Sequence, residues 1–407
     1  MDIKLAYGDG QLEVKVPAAV EVDIYEASTA EKPVTREDFL QAFRKSGGEE
    51  LKAGPPPLVV VNDGYRHTPT ERILEWLEAD GGVIIDQSLF LIATGAHEAP
   101  RPEHFQDIFG RYYQRLKDRI SWHDAREKTQ RCRLGVDRRG GDVYVNRLLF
   151  DSDKVFIIGS VEPHYFAGFT GGCKSVFPGL ADLATIERNH NLANSPAAAP
   201  LKVDGNPVAE HLWSLMDFFD EEKFFTVQMV VDCRRKIAGA FCGRLKDAFE
   251  KAARLSEKLY ALRTPHKYDI VLCELRPPLD KNLYQAQKAL ENCQAAVADG
   301  GCAVLVSACA DGVGSEHFYG MADGWDRANN RPRDGVVRFG SHKLSRVNAL
   351  TRRIGVYIHS RLPGATVRKV FYEPVEDVNA FLAEKIESGK SGRVAVVRDA
   401  GHTVLKV

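Results

Sequence analysis

Short apolar runs, none of them alternating with polar residues, constrain this chain most. They fall at 59–61, 89–93, 155–158, 227–231, 269–273, 303–307 and 394–397. Each is too short for a helix of about ten residues, and unbroken apolarity marks a strand covered on both faces. Between them, 70–77, 246–255 and 283–290 space their apolar residues three and four apart, which is the pattern of helices with one buried face. Strands alternating with helices predict α/β architecture. With 407 residues there is room for more than one domain. We expect two α/β domains with a ligand cleft between them: an N-terminal domain over 1–264, a C-terminal domain over 265–385, and a final segment, 386–407, free to return to the N-terminal domain. The boundary is set near Thr264-Pro-His-Lys267, where a long charged helix ends before a new strand.

Charge narrows the partners. Lys and Arg total 55 against 56 Asp and Glu, so no overall field draws the chain to nucleic acid or anionic lipid. No segment approaches the roughly 20 apolar residues that cross a bilayer, and the first residues alternate apolar with charged side chains instead of forming a signal core. The eight cysteines include no Cys-x-x-Cys pair and sit mostly inside apolar runs, as buried thiols of a reducing compartment do. The expectation is a soluble, cytoplasmic protein with no nucleic-acid or membrane partner.

Polar residues follow three of the predicted strands at once: Asn62-Asp-Gly-Tyr-Arg66, Thr94-Gly-Ala-His97 and Ser160-Val-Glu-Pro-His164. Ligands of open α/β sheets bind outside the carboxyl ends of strands, so Asp63, Arg66, His97 and His164 are expected to share one crevice. The segment 166–179, FAGFTGGCKSVFPG, has glycines that let backbone amides close around an anion and a lysine, Lys174, that offers an amine or a charge. It misses the G-x-x-x-x-G-K-[ST] phosphate loop because Cys173 stands where the second glycine belongs. Downstream, His190 near the end of a short helix can offer an imidazole to a metal. In the second half, Tyr284, Gln285 and Lys288 share one face of a helix opening after Pro278, and a lysine with a glutamine suits a carboxylate. A further Gly-rich loop at 310–319 follows the 303–307 strand, where it can close the cleft.

Together these motifs resemble the nickel-pincer-nucleotide-dependent lactate racemases and their 2-hydroxyacid racemase and epimerase relatives. The resemblance runs through Asn-Asp-x-x-Arg at 62–66, Thr-Gly-x-His at 94–97, the block 162–179, Asn-His at 189–190 and Leu-Asp-x-Asn-x-Tyr-Gln-x-x-Lys at 279–288. It implies a pyridinium dithio mononucleotide joined to Lys174, with nickel held by the nucleotide and by His190, and with Asp63 and Tyr284 beside the cofactor. It further implies that His97 and His164 exchange the hydroxyl proton on the two faces of the substrate. Arg66, Gln285 and Lys288 would then bind a 2-hydroxyacid, and separate maturation proteins would make the cofactor.

The chain departs from the family pattern in places. Tyr65 and His67 flank Arg66 where Thr and Pro are usual, Cys173 replaces an arginine, and the position of a cofactor-packing tryptophan falls near Ser341-His342-Lys343. Tyr65 and His67 both offer hydrogen bonds, so a substrate longer or more polar than lactate is expected. Two other readings stand beside the racemase: a non-catalytic nucleotide- or metal-binding homologue, and a pyridoxal phosphate racemase with Lys174 as Schiff base. A binding module has no use for His97, His164 and Arg66 together.

Overall fold

The computed structural model describes residues 1–17, 20–66, 68–81, 83–387 and 392–407. Two six-stranded sheets organise the chain. The first has the order Ile237–Gly243, Phe224–Val231, Val155–Ser160, Leu58–Asn62, Phe90–Ala93, Ile120–Trp122, parallel except for the antiparallel Ile237–Gly243 edge. The second has the order Glu373–Pro374, Gly355–His359, Val297–Val306, Tyr268–Glu274, Arg393–Val397, Glu21–Tyr25, parallel throughout. Every predicted apolar run lies on one of these strands. The reason is two-sided burial: Leu58 and Val60 join one apolar cluster with Val155 and Ile157, whereas Val59 and Val61 join another with Phe156 and Ile158. In the second sheet Val271 and Cys273 face one cluster, Ile270 and Leu272 the other. Each such side chain contributes about 1.5–3 kcal/mol when fully buried.

Strand pairing places the first strands differently from the sequence-based expectation, and it decides which sheet the final segment joins. Glu21–Tyr25 pairs with Arg393–Val397, and the hairpin of Asp2–Tyr7 with Gly10–Lys15 packs Ile3, Leu5 and Val14 onto Ile270, Leu272 and Val304. Glu21–Tyr25 therefore joins the second sheet, and the hairpin, a two-stranded sheet of its own, packs against that sheet instead of the first. Arg393–Val397 likewise sits inside the second sheet, because Val394 to Val397 are all buried and need a strand on each side. The strand leading into the expected boundary is itself paired, Ala261–Arg263 running beside Val404–Lys406. The helix expected to open at Pro278 begins at Leu283, capped by the Asn282 side chain, which accepts the Gln285 amide hydrogen. The Gly-rich loop at 310–319 serves this helix, since the carbonyls of Gly312 and Val313 accept the amides of Leu283 and Tyr284. All eight cysteines are free thiols, and no helix among the described residues is long and apolar enough to cross a membrane.

Each sheet has a point where its strand order reverses. In the first it lies between Leu58–Asn62 and Val155–Ser160; in the second, between Tyr268–Glu274 and Arg393–Val397. Outside such points the following loops diverge and leave a crevice.

Candidate active site

All of the predicted site residues line one cavity of about 930 Å³, its open mouth included. Asp63 and Arg66 follow the strand Leu58–Asn62, His97 follows Phe90–Ala93, and His164 follows Val155–Ser160. The turn Gly172–Ser175 supplies Lys174, and the helix Leu183–Asn191 supplies His190. From the second half, the helix Leu283–Cys293 contributes Tyr284, Gln285 and Lys288.

Glycines set the lysine's position. Gly171 has φ +73°, and a Cβ there would lie 2.6 Å from the Gln228 side-chain oxygen and 2.8 Å from the Ser160 carbonyl oxygen. The Gly172 amide donates to the same Gln228 Oε1 at 2.9 Å, tying the turn to the sheet. Gly171→Ala should therefore cost about 1–3 kcal/mol in backbone strain alone, read as a lowered midpoint in denaturant unfolding. An unchanged midpoint would mean that the turn is not held this way. Burial pushes the Lys174 ammonium down to about 7, Arg66 and Lys288 adding to it against Cys173. No carboxylate pairs with Lys174 among the described residues; its ammonium lies 5.5 Å from the centre of the Phe166 ring.

The two cleft histidines are held in different tautomers. His97 Nδ1 is 2.5 Å from Asp63 Oδ2. A carboxylate can only accept, so the proton is on Nδ1 and the Nε2 lone pair is left free. Burial raises the Asp63 carboxyl, yet the pairing with His97, with help from Arg66 and the Tyr65 amide, brings it below its ordinary value. His164 Nδ1 instead accepts the Ala167 amide at 3.3 Å, which in the neutral ring puts the proton on Nε2. Burial, then Lys174, Arg66 and Lys288, hold His164 well below the usual imidazole range. Tyr65 stands edge-on to His97 and to His104, both at 5.0 Å between ring centres.

His190 has the tautomer that a metal-ligating imidazole needs. Its Nδ1 donates to the Ile186 carbonyl at 3.0 Å, leaving the Nε2 lone pair unclaimed, which is how a carbonyl behind a ligating imidazole fixes its tautomer. Burial and then Lys174 push the ring down to about 3, so it is neutral and able to ligate. The His342 ring is 5.6 Å away; its Nε2 lies 3.3 Å from the Tyr165 hydroxyl, and its buried Nδ1 has no hydrogen-bond partner among the described residues.

Cations outnumber free anions here. Arg66 Nη1 donates to Glu162 Oε1 at 3.0 Å. Burial pushes Lys288 down to about 7, Arg66 adding to it while Glu162 and Asp63 oppose. Lys343 donates to the Tyr284 carbonyl at 2.7 Å and lies over the Tyr284 and Tyr165 rings. Buried lysines without carboxylates are costly unless an anionic ligand joins them. The cavity thus suits a phosphate-bearing group on a lysine amine, a metal on His190 and a carboxylate between Arg66 and Lys288.

Sequence reasoning assigned no role to Glu162, His342, Lys343, Tyr165 or His402. Glu162 was visible as the acid of the third strand-end segment, and Ser341-His342-Lys343 as the place of a cofactor-packing side chain; His402 was not, because it is brought in behind the strand Arg393–Val397 by sheet pairing. His67 lies outside the described residues.

Two family models match the chain: one described as the lactate racemase N-terminal domain, over residues 7–200, and one described as the lactate racemase C-terminal domain, over 265–334. Lactate racemase of Thermoanaerobacterium thermosaccharolyticum is 26% identical over 345 residues, which cover 82% of this chain and 79% of that protein. Lactate racemase of Lactiplantibacillus plantarum is 29% identical over 304 residues, 70% of this chain and 69% of its own. The solved lactate racemase apoprotein from T. thermosaccharolyticum superposes with a TM-score of 0.86 at 24% identity over 100% of both chains. A Thermotoga maritima protein does so with a TM-score of 0.73 at 18% identity, over 93% of this chain and 100% of its own. These superpositions speak to the fold, which is shared throughout.

Proposed function

Because the chain belongs to the lactate racemase family, we propose that it is an isomerase that racemises lactate or a related 2-hydroxyacid with a nickel-pincer nucleotide tethered to Lys174. One observation carries the reading: a single cavity gathers two histidines in opposite tautomers, two cations for a carboxylate, a lysine amine free near neutral pH and an unclaimed imidazole lone pair. Lys174 would hold the nucleotide and His190 Nε2 the nickel, with Asp63 and Tyr284 beside them. When bound, the group would supply a hydride acceptor for the C2 hydrogen.

The chain's own residues do the rest. Arg66 and Lys288, with Gln285 near, bind the carboxylate and fix C2. His97 Nε2 accepts the hydroxyl proton, and Asp63 stabilises the imidazolium that forms. To return a proton to the oxygen on the opposite face, His164 would have to be an imidazolium, taking up a proton at Nδ1 in place of the 3.3 Å contact from the Ala167 amide before giving one from Nε2, which ends as the free lone pair. For the other enantiomer the two exchange roles, so each turnover loses one proton to one ring and gains one from the other. Phe166, Tyr165 and Phe339 give the cavity aromatic wall surface.

Tyr65 lies beside His97 in the same cavity, which favours a polar or longer side chain at C2 over a methyl. The test is a panel of single-enantiomer 2-hydroxyacids offered to protein co-produced with the cofactor maturation proteins. Loss of optical purity from either enantiomer is expected, and none anywhere in the panel overturns the function. Lactate with the highest kcat/KM would overturn only the preference drawn from Tyr65.

A further inference from the structure

The loops at the two strand-order reversals meet behind the site. Glu162, from the first sheet, places Oε1 3.0 Å from Arg66 Nη1 and Oε2 3.4 Å from His402 Nε2. His402 follows the strand Arg393–Val397 of the second sheet, and its Nδ1 lies 3.1 Å from both carboxylate oxygens of Asp399. Asp399 is fixed in turn, at φ +45°, its amide donating to Glu274 Oε2 at 3.3 Å. Charges therefore alternate along Arg66, Glu162, His402 and Asp399, across the seam between the sheets. His402 is nearly buried, with its ring 6.0 Å from that of Tyr260.

We propose that His402 is a positioning residue for the substrate clamp, holding one oxygen of Glu162 so that Glu162 engages Arg66 through the other alone. The inference rests on the proposed role of Arg66 in carboxylate binding. An anionic substrate has to approach a guanidinium that already carries a buried carboxylate, with Lys288 also near it. His402 offsets that carboxylate and ties down half of it, leaving guanidinium N–H groups for the incoming carboxylate. Without the imidazole, Glu162 is free to close both oxygens on Arg66, as carboxylates do with guanidinium, and so occupies the N–H groups that the substrate carboxylate needs. The ring accepts this role because the two carboxylates on either side, overcoming burial, push it up to about 10.

The experiment is a double-mutant cycle on the cofactor-loaded full chain, reading KM and kcat for L-lactate. His402→Gln should raise KM about tenfold with kcat held within about twofold, the signature of lost uniform binding. In an Arg66→Ala background, where KM is already raised, His402→Gln should add nothing. A crystal structure of His402→Gln should show both Glu162 oxygens on Arg66. If His402→Gln fails to fold, Asp399→Asn, which leaves the imidazole in place, carries the same expectation at smaller size in both backgrounds. An equal KM rise with and without Arg66 would make His402 merely structural and overturn the proposal, as would a Glu162 that keeps one oxygen on Arg66. A KM rise in Arg66→Ala with none in the His402 or Asp399 variant overturns this inference alone. An Arg66→Ala protein with wild-type KM overturns the clamp as well.

Discussion

Replacing Lys174 with alanine should abolish both the covalent adduct and racemisation. The lysine sits on a glycine turn anchored to Gln228, in a cavity whose burial and neighbouring cations bring its amine to about 7. An acyl linkage needs an unprotonated nitrogen, and an ordinary lysine near 10.4 is almost wholly protonated at neutral pH. The sign is direct: the folded-state value is lowered, so the amine is protonated below about 7 and free above it. Amine acylation of the cofactor-free protein, followed by peptide mass, should therefore show Lys174 labelling rise through pH 7, with surface lysines following only toward pH 10. Lys174→Ala and Lys174→Arg should both lack the added mass after co-production with the maturation proteins. Full adduct on either variant would exclude Lys174 as the attachment point.

His97→Gln and His164→Gln should each lower kcat by about 10²–10⁴-fold, the usual contribution of a positioned acid or base, while nickel content and the Lys174 adduct stay at wild-type levels. Both rings are needed in both directions, because one takes the hydroxyl proton and the other supplies its replacement. Asp63→Asn tests the support beneath His97: an amide NH₂ turned toward Nδ1 favours the wrong tautomer, so kcat should fall without loss of metal. His190→Ala should behave oppositely, losing nickel first and activity as a consequence. A His97 or His164 variant that racemises both enantiomers at the wild-type rate would end the two-histidine mechanism.

The separation of these roles shows where local sequence was informative. Each strand-end segment carries its candidate side chain within a few residues of a buried run, so Asp63, Arg66, His97 and His164 could be expected in one crevice once the runs were taken as strands, and they line one cavity. The Gly-Gly-Cys-Lys turn was readable too, since only glycine meets the left-handed backbone and the contacts at Gly171 and Gly172. Glu162 lay in plain view yet could not be given a partner, because Arg66 is brought to it by pairing of Val155–Ser160 with Leu58–Asn62.

What the sequence by itself determined is whatever depends on neighbours along the chain: strands from unbroken apolarity, helices from three-and-four spacing, the lysine turn from its glycines, and the family from motifs of fixed spacing. Tertiary structure alone decided the membership of the second sheet, where Glu21–Tyr25 and Arg393–Val397 pair from opposite ends of the chain. It alone also decided the tautomers of His97, His164 and His190, and the arrival of His342, Lys343 and His402 at the site. The physical reason is that apolar patterning states which face of an element is buried but not against what. A histidine's proton is assigned by the atom opposite its nitrogen, and here that atom is supplied by Asp63, by Ala167 or, for His402, by Glu162 and Asp399.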